Sequence, residues 1–296
     1  MTDPIEQTLF SATFDNRVSA VLSLLCDHPG LNVNWENKQT HSWTALHFAS
    51  LHDRIEVVKL LLAHPRINVN VRDKYRQTPF LLGCANGAVS VARLLLKDPR
   101  VDITLCDYYE CTPLWKASCN GQLQVVEWLI ASSKNLADLN KKGRRGAKEF
   151  SALEIAQENT QTGVELLEKF LDNPALTRHE ICVKLGVLDE LAAELYAITV
   201  FLRDDLLQIK PEQASSHPSA TSAAANHFFA IASKLPMELQ MVLCHRAVGS
   251  TKQNILHKDS EAVFNSLARI LLLLSPQFCF DLEEDDSAEK VRSFFS

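Results

Sequence analysis

Three near-copies of one four-residue phrase, set at a fixed interval, constrain this chain more than any other feature. Thr44-Ala45-Leu46-His47 recurs as Thr78-Pro79-Phe80-Leu81 and again as Thr112-Pro113-Leu114-Trp115, and the step from Thr44 to Thr78 equals the step from Thr78 to Thr112. A unit that short cannot bury its own apolar face, so it must stack on its neighbours. Behind each phrase comes an apolar run at helical spacing, Ile55 to Leu62, Val89 to Leu96 and Leu123 to Ile130. A turn and a short extended piece then lead to the next phrase, as in His64-Pro65-Arg66-Ile67-Asn68-Val69-Asn70 and Asp98-Pro99-Arg100-Val101-Asp102-Ile103-Thr104. One unit therefore reads as helix, turn, helix and extended finger. Thr44, Thr78 and Thr112 are suited to cap the first helix, and Pro79 and Pro113 fall at its first position, where no amide donor is lost.

The phrase, the small residues Ala49, Gly83 and Ala117 in the first helix, the apolar second helix and the Asn-Val-Asn ending together resemble the ankyrin repeat. The resemblance covers roughly the stretch 1–170. It implies an all-α ankyrin-repeat solenoid of helix-turn-helix units with hairpin fingers, followed by a C-terminal helical domain. About five units are expected. Leu9 to Leu25 reads as a first unit without the Thr-Pro opening, and Ser151 to Leu167 as a last one, whose opening at Ser151 follows Thr112 by more than the regular step. The expected organisation is an array over 1–172, a helical extension over 173–209, a flexible linker or loop over 210–226, a helical segment over 227–275 and an acidic tail over 276–296.

In ankyrin arrays the finger tips and the exposed side of the first helices form one concave binding surface. The positions that match here are Trp43, Leu51 and His52; Lys74, Tyr75, Arg76, Gln77, Ala85 and Asn86; and Tyr108, Tyr109, Glu110, Cys111, Cys119 and Asn120. Aromatics and arginine at such tips suit an interface, since they supply contact area at low entropic cost. Two departures from the family stand out. Arg76 and Glu110 occupy the finger position where a glycine normally turns the chain, which places a side chain where φ tends to be positive. The histidine of the phrase survives only as His47, with Leu81 and Trp115 in its place, and that puts its usual hydrogen bond in question.

Two further features carry hypotheses. Lys141, Lys142, Arg144, Arg145 and Lys148 place five cations within eight residues of the last, inserted finger. Such a loop suits an acidic peptide, a phosphate-rich partner or an import receptor, and the acidic run from Glu283 to Glu289 offers an internal counterweight. Leu235-Pro236-Met237-Glu238-Leu239, followed by an amphipathic run to about residue 248, resembles the first helix of an F-box. That resemblance implies docking onto a ubiquitin-ligase scaffold. Ordinary helix-entry chemistry explains the same residues.

Nothing points to catalysis or a cofactor. The ten histidines are scattered, no glycine-rich phosphate loop is present, and Cys106, Cys111 and Cys119 lack a fourth ligand nearby for zinc. A net charge of −6 gives no general affinity for nucleic acid. The longest apolar run, Ile270 to Leu274, is too short to cross a membrane. Eight cysteines without framework spacing and a first segment without a signal-peptide pattern fit reduced thiols in the cytosol or nucleus. The sequence thus predicts a monomeric adaptor for an unidentified protein partner.

Overall fold

The computed structural model describes residues 5–132, 134, 136, 139–159 and 162–203, then 228, 229, 232, 234–248, 250, 252, 255 and 263. The proposed linker at 210–226 and the acidic tail at 276–296 lie outside the described residues. The chain divides into two compact units, Met1–Ile181 and Cys182–Ser296.

In the first unit, helices come in pairs: α1 (Ile5–Phe14) with α2 (Val18–Asp27), α3 (Ala45–Leu51) with α4 (Ile55–Ala63), α5 (Pro79–Asn86) with α6 (Val89–Lys97), and α7 (Pro113–Cys119) with α8 (Leu123–Ala131). A hairpin of β1 (Gly143–Arg145) and β2 (Lys148–Phe150) precedes a fifth pair, α9 (Ala152–Asn159) and α10 (Val164–Asp172), and α11 (Pro174–Lys184) follows. The first helices α1, α3, α5, α7 and α9 pack in chain order into one row, and α2, α4, α6 and α8 into a second. The result is the all-α solenoid that the period predicts.

The local chemistry repeats with the sequence. The hydroxyls of Thr44, Thr78 and Thr112 accept the backbone N–H of His47, Leu81 and Trp115, which caps α3, α5 and α7. At the fifth pair Ser151 does the same work. Its hydroxyl accepts the Glu154 amide at 3.2 Å while the Glu154 carboxylate accepts the Ser151 amide at 2.7 Å. That backbone donor, helped by Lys142, holds the Glu154 carboxyl below its usual range. Inside each pair the chain turns through a left-handed residue, at Asp53, Gly87 and Gly121, one per period. Asp53 carries a side chain there, and its carboxylate accepts the Val91 amide of the next unit at 2.8 Å.

Stacking has two components. Leu61, Leu95 and Leu129, one per second helix, are each no more than 1% exposed, beside Val57, Val91 and Val125 at 0%. Polar clamps flank this core. Asn34 and Asn70 each use both ends of their amide on the next unit, donating to the carbonyls of Arg66 and Arg100 and accepting from the amides of Asn68 and Asp102. In return Arg66, Arg100 and Lys134 each reach back to carbonyls of the preceding unit, at Pro29, Leu62 and Asp98 respectively. Each clamp ends on a backbone amide or carbonyl of the neighbouring unit, so it ties the units together across the stack.

In the second unit α12 (Val187–Arg203) packs on α13 (Met237–Ala247). Their contact is a small apolar cluster of Tyr196, Val200 and Cys244, with Leu195, Phe228, Met241 and Ile255 against it. Burial pushes the Cys244 thiol up to about 11.

Candidate partner-binding surface

The fingers are built around a repeated carboxylate. Oδ1 of Asp73 accepts the amides of Tyr75 and Gln77 at 2.8 and 2.7 Å, and Oδ1 of Asp107 accepts those of Tyr109 and Cys111 at 2.9 Å each. This bracket closes the turn that a glycine usually eases. Arg76 and Glu110 do adopt left-handed backbone, with φ of 61° and 62°, as Ser42 does one unit earlier at 62°. The expected strain is therefore present, and Asp73 and Asp107 over-determine the turn that holds it. The second oxygen of each buried carboxylate is also engaged. Trp43 donates its indole N–H to Asp73 at 2.9 Å, and Lys116 pairs with Asp107 at 2.8 Å.

Single backbone bonds then tie each finger to the next. The Lys74 amide donates to the His41 carbonyl, Tyr108 to Tyr75, and Arg144 to Tyr109, at 3.1, 2.9 and 2.8 Å. Four fingers thus form one continuous row. At its crest Tyr75, Tyr108 and Tyr109 are 41%, 64% and 51% exposed. Lys74 places its ammonium 5.0 Å over the Tyr75 ring, whose other neighbour is the imidazole of His41 at 5.3 Å. Tyr108 and Tyr109 meet edge to face at 5.7 Å.

The sequence-derived set falls on two edges. Lys74, Tyr75, Arg76, Tyr108, Tyr109 and Glu110 come together on the finger row. Trp43 and Gln77 sit half-buried at its base, where Gln77 offers its carbonyl to His47. Leu51, His52, Ala85, Asn86, Cys119 and Asn120 lie at the far ends of the first helices, about 10 Å along the axis. There Asn86 donates to the Leu51 carbonyl, Asn120 to Ala85 and Asn159 to Cys119 at 2.6–2.8 Å. The asparagine amides are thus spent on ties between units. His52 is exposed and stacks on Phe48 at 4.3 Å, with Phe14 against the same phenyl ring at 4.8 Å.

The histidine departure resolves in an unexpected way. His47 accepts the Thr44 amide on Nδ1, and its Nε2 lies 3.0 Å from the carbonyl just before the next cap, Gln77. Burial holds the imidazole below its usual pKa. Trp115 donates its indole N–H at 2.8 Å to Phe150, the residue before Ser151, and so supplies the same bond from a different ring. Leu81 supplies none.

The basic loop is the β1–β2 hairpin, and each of its cations has a partner. Lys142 faces Glu154 at 3.7 Å, Arg144 faces Glu110 at 3.7 Å and Lys148 faces Glu158 at 4.0 Å. Arg145 donates to Asn159 at 2.7 Å, and Lys141 points at the Cys106 sulfur at 3.5 Å. Neighbouring glutamates thus provide a counterweight, whereas the run from Glu283 to Glu289 lies outside the described residues.

Burial and the Asp107 carboxylate push the Cys111 thiol up to about 12. The described cysteines are free thiols. Among the described residues no group of three His, Cys, Asp or Glu side chains could hold a metal ion, and no helix is long and apolar enough to cross a membrane.

Paired helices stacked in two rows, with a row of fingers beside them, define a repeat scaffold. A family model for ankyrin repeats matches residues 6–73 and 67–143, so this part of the chain is an ankyrin-repeat array, a class of module that generally mediates protein interaction. The fifth helix pair lies beyond the matched residues. No curated protein matches the chain.

Proposed function

We propose that the protein is a non-enzymatic adaptor that binds a protein partner through the finger row of its ankyrin array. The observation that carries this reading is the exposure of Tyr75, Tyr108 and Tyr109 on a crest whose backbone is fixed by carboxylate brackets and by bonds between fingers. Large aromatic area on a preorganised edge binds with little ordering cost. The far edge, with its asparagines committed to ties between units, serves as a flank. The adaptor acts as a monomer in the cytosol or nucleus, a placement that the free thiols fit. Proximity labelling with wild type and with Tyr75→Ala/Tyr109→Ala tests the reading. Loss of a discrete set of neighbours supports it, and an unchanged set removes it.

A second reading rests on α13. Met237 and Leu239 are exposed there, directly after Pro236, on the helix that resembles the start of an F-box. Co-purification of a ubiquitin-ligase scaffold with the full chain, abolished by Leu239→Glu, would favour a substrate-receptor role; absence of the scaffold removes it.

A further inference from the structure

Most cations along the array already have work to do. Arg66, Arg100 and Lys134 hold carbonyls of the preceding unit, Arg178 donates to the Ile130 carbonyl, Lys116 pairs with Asp107, and the hairpin cations meet Glu110, Glu154, Glu158 and Asn159. Lys74 and Arg76 differ. Both are exposed on the crest, and among the described residues neither meets a carboxylate. The acid of the same finger, Asp73, is buried and committed to Trp43 and to two backbone amides. Two cations without a carboxylate partner among the described residues, Lys74 with its ammonium over the Tyr75 ring, therefore stand beside Tyr75, Tyr108 and Tyr109 on a chain whose net charge is −6.

We infer that the finger row recognises an extended, acidic segment of a partner protein, with aromatic or apolar residues between its carboxylates. The inference rests on the adaptor reading and gives its partner a chemistry. Carboxylates would pair with Lys74 and Arg76, and the intervening side chains would lie on the tyrosine rings. Layers of packed helices repeat at about 8–10 Å, and an extended chain advances about 3.3 Å per residue, so about three residues of ligand pass each finger. Because Lys74 and Arg76 share one finger, the ligand pattern is carboxylates on either side of the residue over Tyr75, followed about three residues on by aromatic or apolar side chains over Tyr108 and Tyr109. Single-stranded nucleic acid would also use cations and aromatics, but the crest carries few free charges and the chain as a whole is anionic. An acidic protein segment fits better.

The test uses the full chain and fluorescence anisotropy. The probe is a labelled peptide of Asp-Glu-Tyr triplets, about nine residues long to span three fingers at that rise. Its Asn-Gln-Tyr counterpart and labelled poly-uridine are the comparison ligands. The acidic peptide binds, with affinity falling steeply as salt rises. Lys74→Glu/Arg76→Glu weakens it at least about tenfold, the Lys74→Arg/Arg76→Lys pair retains it, and Lys142→Gln/Lys148→Gln shifts it less than about twofold. An unchanged thermal transition in the charge-reversed variant confirms that it folds. Equal binding of the neutral peptide, preference for poly-uridine, or loss only in the hairpin variant would overturn it. If the acidic peptide fails while Tyr75→Ala/Tyr109→Ala still loses labelled neighbours, the acidic chemistry is wrong and the adaptor reading stands.

Discussion

The finger at 72–77 and the inserted hairpin finger use charge in opposite ways. The hairpin is far richer in cations, yet its lysines and arginines lean on glutamates and an asparagine of α9 and of the finger before it. The finger at 72–77 carries fewer, and Lys74 and Arg76 stand free on the crest. Density of charge along a sequence is therefore a poor guide to where charge is available. What matters is whether the fold has already placed a carboxylate opposite, and that is a property of neighbouring units rather than of the loop itself.

The hairpin's role as a docked closing element can be broken most severely at Trp115. This ring packs with Cys111, Cys119 and Ile155 and holds the Phe150 carbonyl, so Trp115→Ala should cost about 3–5 kcal/mol in urea unfolding. Amide exchange over 143–150 should accelerate, while the finger at 72–77 keeps its protection. Gly143→Ala acts next. A methyl there would sit 2.9 Å from the Cys111 sulfur, which must shift, and a tight 3.1 Å from the Cys111 Cα and the Trp115 indole nitrogen, and about 1–3 kcal/mol should be lost as the hairpin moves.

Acidification separates the two fingers by chemistry, because the bond before the Thr78 cap comes from an imidazole and the bond before Ser151 from an indole. His47 is held below its usual pKa by burial, so the unfolded chain takes the proton first. Stability is complete above about pH 6.5 and falls as pH drops below it, by at most about 1.4 kcal/mol per pH unit from this group. His52 and His64, both also lowered, add in the same direction. Urea midpoints measured across that range should slope less in His47→Gln. The smallest effect belongs to the hairpin's surface pairs. Lys142→Gln or Lys148→Gln should change stability by less than about 0.5 kcal/mol, as expected of exposed pairs at 3.7 and 4.0 Å. A larger loss would show that these cations are structural clamps like Arg66 and Arg100.

The period made much of the fold legible. Thr44, Thr78 and Thr112 announce three caps, and the apolar runs announce the second helices, since each feature depends on a few adjacent residues. The left-handed turns at Arg76 and Glu110 were also readable, from the missing glycine. Their supports were not, although Asp73 and Asp107 recur one period apart in plain view; a carboxylate that brackets its own turn looks in sequence like any surface acid. The substitution of Trp115 for histidine was readable as a loss and proved to be a replacement, because an indole reaches the same carbonyl. The asparagines expected at the interface, Asn86 and Asn120, serve the stack, and only the packed neighbour reveals the carbonyl each one meets.

The contrast between free and committed cations is tested most directly by proximity labelling with two charge-removed forms of the full chain, Lys74→Gln/Arg76→Gln and Arg144→Gln/Arg145→Gln, beside wild type. The account predicts that the first loses the neighbours also lost by Tyr75→Ala/Tyr109→Ala while the second keeps them. Loss confined to the second would contradict it and move the recognition surface to the hairpin.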